Sequence, residues 1–264
     1  DLLGSRGLGD VYKRQMRLFL ILFISLGLLA NDHEDMYEEV YADYLYCNVD
    51  DNLSAERRDE AFEDYIEAWN GHASSFDNSV ALSAVYPFYT NDDMRSGADF
   101  MFVRHAPSRQ ALGAFMLQMY NLVSEDDDMP KAPFECDNAS EAYQLVGPSS
   151  DDDLGSSGMV EYYPCNYTED ADPDAMFEAQ AKFALEHYAN GARGGYRYIF
   201  PGSGSDRVNS PDFYVSVGSP DIEARGAGID LYWSKSRGSE AELERRKHAE
   251  CQKSSVWYLS LIHI

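Results

Sequence analysis

The pattern of hydrophobic and polar positions divides the chain into strands and amphipathic helices in a fixed order. Residues 40–47 read as a strand. Ser54 then stands as a helix N-cap with acids in the turn after it, and Ala61, Phe62, Tyr65, Ile66 and Trp69 recur at helical spacing up to the stop signal Asn70-Gly71. Strands are predicted over 80–89 and 99–105, a helix over 108–122 and a further strand over 134–146. The order then recurs. Asp172 caps a helix with Pro173 at its first position and Asn190-Gly191 at its end. Strands over 195–200 and 213–217 follow, and another helix opens near Asp221.

The recurrence extends to landmarks. Tyr46-Cys47-Asn48 answers Pro164-Cys165-Asn166, Asn70-Gly71 answers Asn190-Gly191, and Pro87 answers Pro201. Asp99-Phe100, Pro107 and Gly113-Ala114 match Asp212-Phe213, Pro220 and Gly226-Ala227, before Cys136 and Tyr143 match Cys251 and Tyr258. Collinear self-similarity of this kind predicts an internal duplication. Repeat 1 spans 31–146 and repeat 2 spans 159–258, joined by a Gly-, Ser- and Asp-rich linker over 147–158. Four cysteines are present, Cys47, Cys136, Cys165 and Cys251; their even number points to disulfides, and four cysteines allow three pairings between which residue types do not choose.

The order β-α-β-β-α-β resembles the split βαβ, ferredoxin-like unit, so the fold class is α+β with two such repeats. The resemblance implies that the first and last strands of each unit are antiparallel neighbours, which pairs Cys47 with Cys136 and Cys165 with Cys251. The strands are apolar on both faces: Phe100 and Phe102 point one way, Met101 and Val103 the other. A second face must therefore be buried, most simply by packing the two sheets against each other as an intramolecular pseudo-dimer. In this form the chain resembles the dimeric α+β-barrel superfamily, fused in tandem.

The two ends read differently from the middle. DVYKRQ at residues 10–15 and LSLIHI at 259–264 back-translate to strings that are reverse complements, GAT GTG TAT AAG AGA CAG and CTG TCT CTT ATA CAC ATC. That string resembles the transposase mosaic end used to fragment DNA for sequencing. Residues 1–15 and 259–264 are thus expected to be adapter-derived, with repeat 2 truncated at its C-terminus. From Met16 a basic Arg17, an apolar run over 18–29 and Ala30 match a signal peptide over 16–30. The expected location is periplasmic or extracellular, without a membrane span after cleavage.

Charge narrows the partners. With 21 Lys and Arg against 46 Asp and Glu the net charge is −25, which repels nucleic acid and anionic membrane surfaces. The 19 Tyr and 13 Phe argue against a disordered acidic chain.

Motifs give little chemistry. His105 is the histidine on a central strand, on the face of Met101 and Val103, and its counterpart in repeat 2 is Gly218. Asn48 and Asn166 follow the cysteines. Haem-degrading monooxygenases of the superfamily use a first-strand Asn with a His on the second helix and a Trp; the helix over 108–122 has no His, so the asparagines read as turn or cap residues. Asp170 to Asp174 lacks the Gly and Glu of a calcium loop, with Ala175 and Ala181 in their places. Pro201 to Ser205 is Gly-rich but lies between strands, so it is no phosphate cradle. The expected function is binding of a small apolar or aromatic ligand between the sheets, at His105, Asn48, Phe102 and Tyr198, with no cofactor, no metal and no catalytic residue. The alternatives are a monooxygenase-type enzyme and a structural or self-associating envelope protein.

Overall fold

The computed structural model describes residues 36–72, 76, 79–91, 97–125, 129–150, 156–205 and 210–262. The expected signal peptide, the expected adapter at 1–15 and the centre of the expected linker lie outside these residues.

The first half runs β1 (Glu38–Val49), α1 (Ala55–Gly71), β2 (Ala81–Tyr89), β3 (Phe100–Ala106), α2 (Arg109–Glu125) and β4 (Phe134–Ser149). The second runs β5 (Ser157–Tyr167), α3 (Pro173–Ala189), β6 (Gly195–Pro201), β7 (Phe213–Ser219) and α4 (Ile222–Leu231). It continues through a π-helical turn (Tyr232–Ser236) into α5 (Glu240–His248), β8 (Ala249–Cys251) and β9 (Ser255–Ile262). Ser54 and Asp172 are the caps the sequence announces, and Asp221 caps the helix expected to open near it. Ser54, Asp172 and Asp221 each accept a hydrogen bond from a backbone N–H of the first helical turn. Helix α5 was not predicted, although its signal is legible: Ser239 and Glu242 form an S-x-x-E box, with the Ser239 hydroxyl accepting from Glu242 N at 3.2 Å, and a basic run closes the last turn.

All strand pairings are antiparallel. The first half orders its strands β4-β1-β3-β2, and the second brings β5 between β7 and the β8/β9 arm, with β6 beyond β7. The two sheets, expected to pack against each other in a barrel-like sandwich, meet by joining edge to edge, β4 to β6 and β2 to β9, so that with β5–β7 the ring closes into one barrel. The physical reason is the row of unpaired N–H and C=O groups on every open edge, which closure removes. Leu259 to Ile262, expected to be adapter-derived, pair with β2, a bonding that backbone groups make whatever the side chains.

The expected linker at 147–158 is also shorter than its composition implies, because β4 reaches Ser149 and β5 starts at Ser157. Two of its glycines serve close approach: a Cβ on Gly147 would lie 2.3 Å from the Tyr196 ring, and one on Gly158 2.6 Å from the Ser219 carbonyl.

Side chains fill the barrel and cover it. Inside, Ala42, Tyr44, Val85, Met101, Val103, Ala142, Val160, Ile199 and Trp257 form one core, as an eight-stranded barrel allows. Outside, α1 stacks Phe62 on Phe134 at 5.4 Å, and α3 sets Phe177 against Tyr198 at 4.8 Å. Two disulfides are formed, Cys47–Cys136 and Cys165–Cys251, each between residues paired across adjacent strands.

The halves also share a strand-end clasp. Asn48 Oδ1 accepts from Asp99 N at 3.2 Å while Asp99 accepts from Val49 N at 3.0 Å. Asn166 and Asp212 repeat it, with Asp212 N donating at 3.2 Å and Tyr167 N at 2.8 Å.

Each disulfide closes a loop with a sequence separation of 89 or 86 residues. Replacing Cys47 and Cys136 together by Ser should cost about 4 kcal/mol on the chain-entropy account. Urea unfolding of the variant against the parent measures it, and peptide mapping should recover only the two within-half bridges.

Candidate functional site

Two places combine polar groups with shelter from water. The first is a cleft of about 220 Å³ between the outer wall of the first half and its two helices. Leu45, Leu82, Phe102 and Arg104 project into it from β1, β2 and β3, Phe134 and Cys136 from β4, and Ile262 from β9; Tyr65, Ile66 and Trp69 of α1 and Met119 of α2 form the opposite side. The helix α1 presents this face because its apolar residues recur every three or four positions, while its acids turn to solvent.

The floor of the cleft is electrically closed. Arg104 Nε and Nη2 each donate to a carboxylate oxygen of Asp43 at 2.7 Å, a bidentate pair with both residues buried. Glu161 of β5, four residues before Cys165 as Asp43 is before Cys47, is held by Arg225 of α4 at 2.8 Å. One polar group on the cleft is left open. The Trp69 indole N–H is buried and meets no hydrogen-bond acceptor in proper geometry. Burial pushes the Tyr65 phenol up, and the nearby Trp69 N–H only partly opposes that push.

The second place is the mouth of the barrel interior, where β3 ends and β2 begins. Arg197 points inward from β6; its Nη1 donates to Gln144 Oε1 at 3.0 Å and to His105 Nε2 at 2.9 Å. A guanidinium has only donors, so His105 Nε2 must be the acceptor and its ring proton sits on Nδ1. Gln144, fully buried, passes the chain on by donating from Nε2 to the Tyr44 hydroxyl at 2.8 Å. Desolvation, and then the charge of Arg197, hold the His105 pKa well below its ordinary 6.5. Burial pushes the Tyr44 phenol well above 10.

The four residues expected to bind a ligand together do not converge. His105 faces the interior. Phe102, on the same strand but of opposite parity, lines the outer cleft. Tyr198 lies on the outer wall of the second half, buried among Met176, Tyr196 and Phe213 under α3. Asn48 is engaged in the clasp with Asp99. The expectation of a ligand between the sheets meets an interior already occupied by side chains, and the open apolar space is outside the barrel wall. Trp69, Arg104, Arg197 and Gln144 carried no motif; the only signal for them was polar or aromatic character at a position of known strand or helix parity.

Haem, which the superfamily resemblance brings into question, does not fit these residues. The space between sheet and helix in the second half is taken by Tyr37, Tyr196, Tyr198, Phe200 and Phe213, with Tyr37 hydroxyl donating to Phe177 O at 2.7 Å. Of the described histidines, His105 accepts from Arg197, His187 Nδ1 is bonded to Ser236 Oγ at 2.9 Å, and His248 Nδ1 accepts from Asp172 N at 3.1 Å. His72, at the end of α1, also has a partner. Among the described residues no group of three or more potential metal ligands gathers.

The architecture is thus that of an α+β protein with a strand-rich, barrel-like sheet. The sequence matches no protein-family model and no curated protein. Among solved structures the chain is similar to a haem-binding protein from Thermus thermophilus, at a TM-score of 0.46 and 11% identity over 84% of this chain and 92% of that one. It is also similar to a mutant chlorite dismutase from Candidatus Nitrospira defluvii, at a TM-score of 0.49 and 12% identity over 87% and 95%.

Two outcomes follow from the polar groups. Arg104→Met strands the Asp43 carboxylate in the wall and should cost about 3–5 kcal/mol, much of it recovered when Asp43→Asn is added, as read by chemical denaturation. For His105 the sign is set by its depressed pKa: below pH about 6.5 the unfolded chain binds a proton that the folded chain refuses, so stability falls with pH, by up to about 1.4 kcal/mol per pH unit. His187, likewise lowered by burial, adds to the same limb. His105→Gln keeps an acceptor for Arg197 and should flatten the loss between pH 7 and pH 5, measured by urea unfolding at both.

Proposed function

We propose that the chain is an exported, disulfide-stabilised tandem repeat of two ferredoxin-like units, an intramolecular pseudo-dimer that binds a small, largely apolar or aromatic molecule in the cleft between α1, α2 and the barrel wall. The observation that carries the reading is the buried indole N–H of Trp69, which has no acceptor in proper geometry although the Tyr65 hydroxyl is near, on a cleft whose charged lining residue, Arg104, is already paired with Asp43. A buried donor without a partner costs about 1–3 kcal/mol, which a ligand carrying one acceptor oxygen would recover. At about 220 Å³ the cleft suits a one- or two-ring body, since a dry cavity of about 150 Å³ takes benzene. The matching asparagine–aspartate clasps in the two halves support the duplication, and two disulfides support export. Among the described residues no helix is long and apolar enough to cross a membrane.

The cleft offers no nucleophile–base pair among the described residues: Arg104 is committed to Asp43, and Trp69 is a donor only. Binding without chemistry is therefore favoured over the monooxygenase alternative.

A shape-matched pair of probes tests the reading. Acetophenone should bind the full chain about 5–10-fold more tightly than α-methylstyrene, which lacks the oxygen, by calorimetric titration. Trp69→Phe should remove that preference and leave the melting temperature within a few degrees of the parent. Equal affinities for the two probes in the parent, or a preference that survives Trp69→Phe, would show that the indole is not the recognition group.

A further inference from the structure

We propose that the mouth of the barrel interior is a second binding site, taking a small planar oxyanion of the carboxylate class on the guanidinium of Arg197. The charge balance around that guanidinium is unlike that of its neighbours. Elsewhere in the described residues the sheltered arginines have carboxylate partners: Arg104 has Asp43, Arg225 has Glu161, and Arg245 shares Glu242 with Arg246. Among the described residues Arg197 has none, and the hydrogen bonds it makes there go to the neutral acceptors Gln144 and His105. Strand parity fixes what else faces it. Val40, Ala42, Tyr44 and Tyr46 of β1, Ser83 and Val85 of β2, Val103 of β3, Ala142 and Val146 of β4, Tyr162 of β5, and Tyr214 and Ser216 of β7 share the interior face. The acid that shares this face at the mouth is Glu38, the exposed first residue of β1, which pairs with Val146 as Val146 pairs with Arg197; among the described residues it forms no ion pair with the guanidinium. A guanidinium drawn out of bulk water without a counter-charge costs several kcal/mol, and an anion is what offsets it.

The hydrogen-bond geometry points the same way. Both bonds use Nη1, which turns that corner of the guanidinium toward the barrel wall. The Nε–Nη2 edge, the fork that carboxylates engage with two parallel bonds, makes no bond with the described residues. His105, neutral and donor-bearing only at Nδ1, and Gln144, fixed by Tyr44, hold the guanidinium from behind. The site is reachable: Arg197 and His105 are only part-buried, and Ala81, paired with His105 on the neighbouring strand, is exposed.

The second half of the duplication supplies a control within the same molecule. In the β2–β3 pair Ser83 faces Val103 as Arg197 faces Ser216 in β6–β7. Ser83 therefore occupies the position equivalent to Arg197, and Gly218 the position equivalent to His105. One end of the interior carries the cationic cluster and the symmetric end does not, so the cluster is not a requirement of the barrel itself.

The test uses the full chain with sodium acetate as probe and sodium chloride at matched ionic strength as reference. Acetate should raise the melting temperature in a saturable way, by roughly 5–10 °C at a hundredfold excess over its Kd, with chloride giving a smaller rise. Arg197→Met should abolish the acetate-specific rise and leave the acetate-free melting temperature unchanged or higher, since an unpaired cation has been removed. Arg197→Lys, which keeps the charge and loses the fork, should weaken acetate about tenfold or more. Trp69→Phe should leave acetate binding intact, so failure of the cleft and failure of this site read out separately. Acetate and chloride acting alike would mean a hydrated cation and no oxyanion site. A marked fall in the acetate-free melting temperature of Arg197→Met, without any acetate-specific effect in the parent, would mean that Arg197 is a structural strut, and either result overturns the proposal.

Discussion

Closure of the strand ring is the constraint on which the rest of this structure depends. Each half presents a four-stranded antiparallel sheet with two unpaired edges, and an unpaired edge is a row of backbone donors and acceptors that must find partners or water. Joining β4 to β6 and β2 to β9 satisfies both edges of both sheets at once. It also creates an inside and an outside, which turns the alternation of side chains along every strand into a choice between a shared interior and a helix-covered wall. Met101, Val103 and His105 go in; Phe100, Phe102 and Arg104 go out.

That partition explains why the polar groups fall into two places of different character. On the wall, arginines and acids meet across adjacent strands or from helix to strand, so charge is buried in neutralised pairs. In the interior, side chains from both halves meet across the barrel, and neutral tyrosines, a glutamine and a histidine surround one guanidinium. The wall can be apolar and still open, because helices cover a curved sheet imperfectly; the cleft beside Trp69 is such a gap. The interior is bounded by covalent chain on all sides and is open only at its mouths.

Much of this was legible in residue types. Helix caps follow from a side-chain oxygen within reach of the first turn's N–H groups, which is why Ser54 and Asp172 were readable as caps and a helix start near Asp221. The within-half disulfides followed from the strand order that the topology implied. Helix α5 was missed although Ser239 and Glu242 spelled its start, because the expected repeat left no place for a third helix. The glycines at 147 and 158 misled in the opposite direction: a composition that suggests flexibility was instead a requirement for close packing. His105 and Phe102 were rightly placed on opposite faces of one strand, yet their being on different sides of the wall separates them into different sites.

Local chemistry in the sequence therefore determined the elements, their order, their caps and the parity of each strand residue, since these depend on neighbours within a few positions. Only the tertiary structure decided that β4 joins β6 and β2 joins β9 to close the ring, that Arg197 reaches His105 across 92 positions of sequence, and that Trp69 is buried without an acceptor in proper geometry. Those facts depend on which edges pair and on how far a helix stands off a curved wall, and such distances are set by packing between segments that carry no mark of one another in the chain.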